Sequence, residues 1–299
     1  VVDDGSTDGT ADVARDAGAT VFVLPENQGV GAARNVAAEH ATGDVLLYTD
    51  ADAELMPDVL DKLRVRLRDK PWIAAWVGLY TVSTRDANVV SRFKNLWIRH
   101  SYLSAAPHVD FLFGCLCALR RDLFWEVGGF DTQFHRNTGG VDIELGMRLR
   151  AAGHRICLDP ELEVEHSRAF TVATLMQNDF RRASGYSRLG LHSQGAGGVA
   201  KAPRFANIST TYVTGTAITG IIVGQTALGF VFPPLWAGLG LPIAAHIAVN
   251  TRLYLYLLQH DREVAAAAPA LMFASQLGAG FGVLKGMLTH LGQPADGAP

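Results

Sequence analysis

A chain of 299 residues, 48% hydrophobic and 18% charged, has material for one large domain or two ordinary ones, which excludes a disulfide miniprotein and a disordered tail. Its 26 basic and 29 acidic side chains leave a net charge of −3, so no global field gathers a polyanion and nucleic acid is not an expected partner. The charge is unevenly spread: 49 of the 55 charged residues precede residue 205, and residues 205–251 contain none. Two different solvents are implied. The three cysteines, Cys115, Cys117 and Cys157, are odd in number and lie in apolar runs, which suits buried, reduced thiols.

The chain opens at Val1 on what reads as the end of an apolar strand, with no leader, so a fragment lacking its first strand is expected. Residues 1–2, 20–24 and 45–49 read as strands, and 10–17 and 31–40 as helices. Short apolar runs separated by helices predict βαβ units and a mostly parallel sheet, with ligands beyond the carboxyl ends of the strands. A helix over 56–67, a strand over 72–80 and an irregular stretch to 108 follow. Then come a strand over 111–119, a short helix over 121–127 stopped by Gly128-Gly129, a helix over 142–152 ended at Gly153, and strands at 156–158 and 162–164.

Residues 171–204 read as a helical juxtamembrane linker. Pro233-Pro234 divides the uncharged stretch into candidate spans at about 208–232 and 235–251, each able to cross about 30 Å of hydrocarbon. A third span, 264–284, is weaker, being rich in Ala and Gly and containing Pro269, and residues 291–299 form a tail. Arg181, Arg182, Arg188, Lys201 and Arg204 before the first span and Arg252 after the second place both ends in the cytoplasm.

Asp3-Asp4-Gly5-Ser6-Thr7-Asp8-Gly9-Thr10 follows a strand and opens a helix, so Gly5 supplies a tight turn, Ser6 or Thr7 can cap the helix, and the aspartates stay at the strand's mouth. Asp50-Ala51-Asp52 ends another strand. Alternation points both carboxylates to one side, a geometry suited to a hard divalent cation that also takes phosphate oxygens.

In this order, the acidic turn, Asn27 to Asn35, Asp50-Ala51-Asp52, Gly128-Gly129-Phe130-Asp131, Asp142 to Arg150 and His166 resemble the family 2 nucleotide-diphospho-sugar glycosyltransferases. The resemblance covers about the first 170 residues. It implies an α/β GT-A fold, Rossmann-like with a mostly parallel sheet, as a catalytic domain over 1–170 ahead of a helical transmembrane region. It also implies that Asp3 and Asp4 hold base or ribose, with Arg34 nearby. Asp52 is then the main ligand of Mg²⁺ or Mn²⁺, Asp50 a contact to ribose or metal, and His166 a further ligand. Arg181 and Arg182 would meet the pyrophosphate or a lipid phosphate.

The chemistry of such a transfer builds positive charge at the anomeric carbon while a nucleoside diphosphate departs, and in an inverting displacement one carboxylate takes the acceptor's proton. Asp142 is expected to be that base. The family's acidic pair is broken here, because Val141 stands where the first acid is usual; Glu144 could orient a partner or be the base instead, and Asp142 could serve as a helix N-cap. The reading is a multi-pass enzyme of the cell's inner (plasma) membrane, catalytic domain cytoplasmic, moving sugar from a nucleotide-diphosphate donor to a lipid-linked or envelope polysaccharide acceptor. Transfer to polyprenyl phosphate, or a non-catalytic membrane-tethered nucleotide-sugar-binding protein, are the alternatives.

Overall fold

The computed structural model describes residues 1–85, 88–105, 107–132, 140–195 and 209–291. Two compact units result, one of Val1–Leu79 with Ala106–Val164 and one of Tyr80–Ala105 with Glu165–Pro299. The expected basic residues Lys201 and Arg204 lie outside the described residues.

The first unit is α/β, as expected. Strand β1 (Val2–Asp3) leads through helix α1 (Thr10–Asp16) to β2 (Phe22–Val23), and the two strands pair in parallel with Asp3 opposite Val23. Helix α2 (Val30–His40), β3 (Val45–Tyr48), β4 (Ala53–Leu55), α3 (Val59–Asp69) and β5 (Ile73–Tyr80) follow. Every residue of β5 is buried, as its unbroken apolar run requires of a central strand. After β6 (His108–Val109) come β7 (Cys117–Arg120), α5 (Arg121–Glu126), α6 (Val141–Ala151) and β8 (Arg155–His166). A second sheet has the order β3-β7-β5-β8-β4, with β6 on β8. Strand β7 runs antiparallel to both β3 and β5, so β3 and β5 run the same way.

Three expectations are corrected here. The run 111–119 is strand only from Cys117 onward; Phe111 to Leu116 form a buried connection, because the Leu116 N–H bonds back to the Phe113 carbonyl as a turn. The two short strands at 156–158 and 162–164 are one 12-residue strand, β8. Helix α1 is not capped by Ser6 or Thr7: Gly9 precedes it, without a side-chain cap.

The second unit is helical. Residues expected to be irregular form α4 (Val89–Leu103), started by the Asn88 side chain, which accepts from the N–H groups of Val90 and Ser91 at 2.9 and 3.0 Å. Its apolar residues pack in a cluster that joins Phe93 and Leu96 to Leu253, Leu257, Leu271 and Met272. Helix α7 (Val172–Gly195) fills the expected linker. Helices α8 (Thr210–Gly229), α9 (Gly240–His260) and α10 (Arg262–Leu291) follow, with a short 3₁₀ helix at Pro233–Gly238. Gly278, Gly282 and Gly286, four residues apart on α10, lie against the backbone of Met176, Phe180 and Ser184 on α7, so that any Cβ there would collide. Small residues at this spacing allow close helix packing.

Among the described residues, one helix, over Arg262–Thr289, is long and apolar enough to cross a membrane. This reverses the expected ranking, in which that segment was the weakest of three. Helix α8 is diluted by Thr and Gln225, and α9 by His246, Asn250 and Arg252, whereas the run 264–284 of α10, rich in Ala and Gly, has Ser275 and Gln276 as its polar residues.

Helices α8 and α9 bury Ile222, Leu253 and Leu257, and they also bury polar residues while leaving large apolar ones exposed. Thr219, His246 and Asn250 are buried and Ile221, Leu228, Leu241 and Ile247 exposed. The buried polar groups satisfy one another around Gln276 of α10: its Oε1 lies 2.7 Å from His246 Nε2 and accepts from Thr219 Oγ1 at 3.2 Å.

Candidate active site

The acidic turn after β1 is first of all a structural device. Asp3 is 4% exposed and its Oδ1 accepts from the Ser6 N–H at 2.9 Å, closing the turn. Asp4 spans to the start of α2: Oδ1 accepts from Gln28 N at 2.7 Å and Oδ2 from Gly29 N at 2.8 Å. Gly5 allows this approach, having φ +77 and a position where a Cβ would meet the Asn27 nitrogen at 2.9 Å. Asp4 thereby fixes the loop that aims α2, with one acceptor site on each oxygen occupied by a backbone N–H.

Arg34, one turn into α2, reaches Asp50 just beyond β3, with Nη2 to Oδ1 at 2.7 Å. The guanidinium lies 5.5 Å from the Phe130 ring centre and passes over Gly114, where a Cβ would strike it. The other Asp50 oxygen accepts from the Cys115 thiol at 3.1 Å. Asp52 follows two residues later in the turn before β4 and is exposed. Asp50 is thus held from both sides, and Asp52 faces solvent.

Helix α6 brings the third carboxylate. Gly140, with φ +101, precedes the helix, and Asp142 lies in its first turn rather than at the cap position considered above. Its Oδ1 accepts from the Ile143 N–H at 3.0 Å and its Oδ2 from the Gly114 N–H at 3.2 Å. An anion there is favoured by the unpaired N–H groups of the helix start. Val141 is buried, its Cγ1 3.6 Å from where a Gly31 Cβ would stand, so this side chain packs between α6 and α2.

Glu144 is engaged elsewhere. Its two oxygens receive Arg148 Nε at 2.5 Å and Nη2 at 2.6 Å, and Arg148 in turn donates to the carbonyls of Val127 and Gly129. The pair holds the Gly128-Gly129 turn against α6. Asn35 holds the next residue, exchanging two 2.8 Å hydrogen bonds with the Phe130 backbone.

His166, at the end of β8, stacks on Tyr80 with ring centres 4.7 Å apart, and its carbonyl accepts from Thr84 Oγ1 at 3.0 Å. On α7, Arg181 is exposed and Arg182 is half-buried against Tyr186. Among the described residues, no three His, Cys, Asp or Glu side chains gather as a metal cage.

The structure therefore brings together Arg34, Asp50 and Asp142 around the loop 113–115. Sequence reasoning missed Gly114 and Cys115 as parts of that arrangement. A glycine inside an apparent strand, followed by cysteine, was the available signal, since such glycines mark close approach of another group. Burial raises the Cys117 thiol to about 12, so this neighbour below the loop stays neutral.

Residues 1–128 match the family Glycosyl transferase family 2. An N-acetylglucosaminyltransferase of Rhizobium meliloti (strain 1021) is 37% identical over 171 residues, 52% of this chain and 40% of that protein. Polypeptide N-acetylgalactosaminyltransferase 3 of Drosophila melanogaster is 24% identical over 168 residues, 49% of this chain and 25% of that protein. The chain spans between a quarter and about half of the curated relatives it matches. Among solved structures, a mannosyltransferase from Pyrobaculum calidifontis, in complex with GDP-Man and Mn²⁺, superposes with a TM-score of 0.58 at 21% identity, covering 97% of this chain and 77% of that one, and shares the fold.

Proposed function

We propose that this chain, whose residues 1–128 are a glycosyl transferase family 2 domain, is an inverting enzyme that moves a sugar from a nucleoside-diphosphate donor to a lipid-linked or cell-envelope polysaccharide acceptor. The observation that carries it is the placement of Asp142 on the Gly114 amide, one residue from the thiol that binds Asp50. Asp142 takes the proton of the attacking hydroxyl; its hydrogen bonds to two backbone N–H groups orient the carboxylate. Glu144 is less suited to that task, since Arg148 occupies both of its oxygens. Arg34 and Asp50 shape the donor side of the cleft, and Asp3 and Asp4 hold the loop and turn against which the nucleoside rests.

Asp52 is the proposed ligand of Mg²⁺ or Mn²⁺. One exposed carboxylate beside a strand end fits a hard cation that draws its remaining ligands from water and diphosphate oxygens. When bound, such a cation neutralises charge on the departing diphosphate.

We further propose that the helical unit is embedded in the plasma membrane, with the transferase domain on the cytoplasmic side. The exposed apolar and buried polar faces of α8 and α9 support lipid rather than water around them, and Arg181 and Arg252 flank the apolar segment. A panel of nucleotide sugars, assayed for diphosphate release with and without Mn²⁺ in a membrane preparation, tests the reaction. No release with any donor and envelope-lipid acceptor would refute it.

A further inference from the structure

The first unit carries a cleft of about 690 Å³ at the end of the sheet opposite Asp50. Val45 opens β3 and Ile73 opens β5, and both line the cleft, whereas Asp50 lies beyond the other end of β3. Loops at the carboxyl ends of the strands serve the transfer chemistry, so that chemistry does not account for a cleft at the amino ends. The volume falls within the roughly 300–1,000 Å³ of small-molecule sites.

The cleft combines apolar surface with charges that cancel. Leu67, Pro71 and Trp125 join Val45 and Ile73 as its apolar part. Trp125 is 40% exposed and rests edge-on against the buried Phe124, with ring centres 4.8 Å apart. Arg120 and Arg121 stand with Asp44 and Asp122, two cations with two anions.

Both guanidiniums are anchored by the protein itself. Arg120 donates to the Pro71 carbonyl from Nη1 at 3.2 Å, and to Asp122 from Nε at 3.2 Å and Nη2 at 2.8 Å. Arg121 Nη1 donates to the Ala41 carbonyl at 2.9 Å, and its backbone N–H to the Asp44 carbonyl at 2.9 Å, which sets Asp44 beside it. Such a wall has no net pull on a phosphate or an ammonium, yet it offers carboxylate acceptors and guanidinium donors around an aromatic face. A pyranose ring matches this combination: the C–H groups of one face suit an indole, and each hydroxyl of the rim both donates and accepts.

We propose that this cleft is a non-catalytic binding site for a neutral oligosaccharide, stacked on Trp125 and hydrogen-bonded by Asp44, Asp122 and Arg121. The inference goes beyond the transferase reading, because the site lies away from Asp142 and needs no nucleotide donor.

The test is saturation-transfer NMR on the full chain in detergent micelles, with chitotetraose, cellotetraose and maltotetraose as neutral probes and tetragalacturonate as an anionic one. At least one neutral probe should bind, and about tenfold more tightly than tetragalacturonate. Trp125→Ala should weaken that binding by about tenfold, and Trp125→Phe should restore part of it. Asp44→Ala, at an exposed side chain, should weaken it several-fold with an unchanged melting temperature. Binding should persist in Asp142→Asn and in saturating nucleoside diphosphate with Mn²⁺. The proposal is overturned if no neutral probe binds, if Trp125→Ala and Asp44→Ala bind like the wild type, if tetragalacturonate binds as tightly, or if the nucleoside diphosphate displaces the glycan. Diphosphate release on the same preparations separates the two readings: glycan binding without release counts against the reaction and leaves the cleft standing.

Discussion

Asp50 and Asp142 hold adjacent residues of one short loop: Asp142 accepts the Gly114 N–H at 3.2 Å, and Asp50 accepts the Cys115 thiol at 3.1 Å. One carboxylate follows β3 and the other begins α6, nearly a hundred residues apart, so the loop registers the end of a strand against the start of a helix. The same loop supplies the glycine over which Arg34 reaches Asp50.

Replacing Asp142 with Asn keeps an oxygen for the Gly114 amide but removes the base. Transfer should fall by about 10²–10⁴-fold with little change in melting temperature. Steady-state kinetics beside a thermal melt decide it, and full turnover by the variant would remove the assignment.

Glu144→Gln should behave in the opposite way. Losing its paired hydrogen bonds to Arg148 should cost about 1–3 kcal/mol of stability. Below the melting transition the acid limb of the kcat/KM pH profile should persist, whereas a limb that vanishes in Glu144→Gln and survives in Asp142→Asn would reverse the two roles.

At Asp52, substitution by Ala should abolish the Mn²⁺-dependent part of nucleoside-diphosphate binding measured by calorimetry, a loss of at least about tenfold. Binding that is equally strong with and without Mn²⁺ in both proteins would remove the cation from the site.

Gly114→Ala puts a methyl group into the path of the Arg34 guanidinium. Overpacking of this kind should cost about 1–3 kcal/mol and raise KM for the donor as Asp50 loses its partner. Denaturant melts and donor titration measure the two effects, and an unchanged KM would detach Arg34 from the donor site.

None of the three cysteines is in a disulfide, and all are buried. They should resist alkylation at neutral pH in the native protein and react together in denaturant. Burial raises Cys117 to about 12 from an ordinary value of 9.0, so the folded state keeps a proton that the unfolded thiol gives up between those values. Its contribution to stability is complete below pH 9 and is lost as pH rises towards 12. Equilibrium unfolding of wild type and Cys117→Ala across that range should show the difference.

Much of the molecule was legible in order. Helix α2, strand β3 and helix α6 fall within a residue or so of where caps, glycines and apolar runs place them, because those signals are local. Helix α4 was not, since its Arg, Asn and aromatic residues look irregular until Phe93 and Leu96 find Leu253 and Leu257, some 160 residues on. The aspartates after β1 and β3 announced themselves as chemically relevant, but their partners were invisible.

The sequence by itself determined the α/β class of the first unit, the family resemblance, the buried cysteines and the shift to an uncharged, helical stretch beyond residue 204, all of which depend on composition and short-range pattern. Only the tertiary structure decided that Asp4 is tied to the start of α2, that Glu144 serves Arg148, and that Asp142 and Asp50 meet at one loop. Each of these depends on which distant backbone amide or side chain lies within about 3 Å, and hydrogen-bond reach is a property of packing that no spacing along the chain encodes.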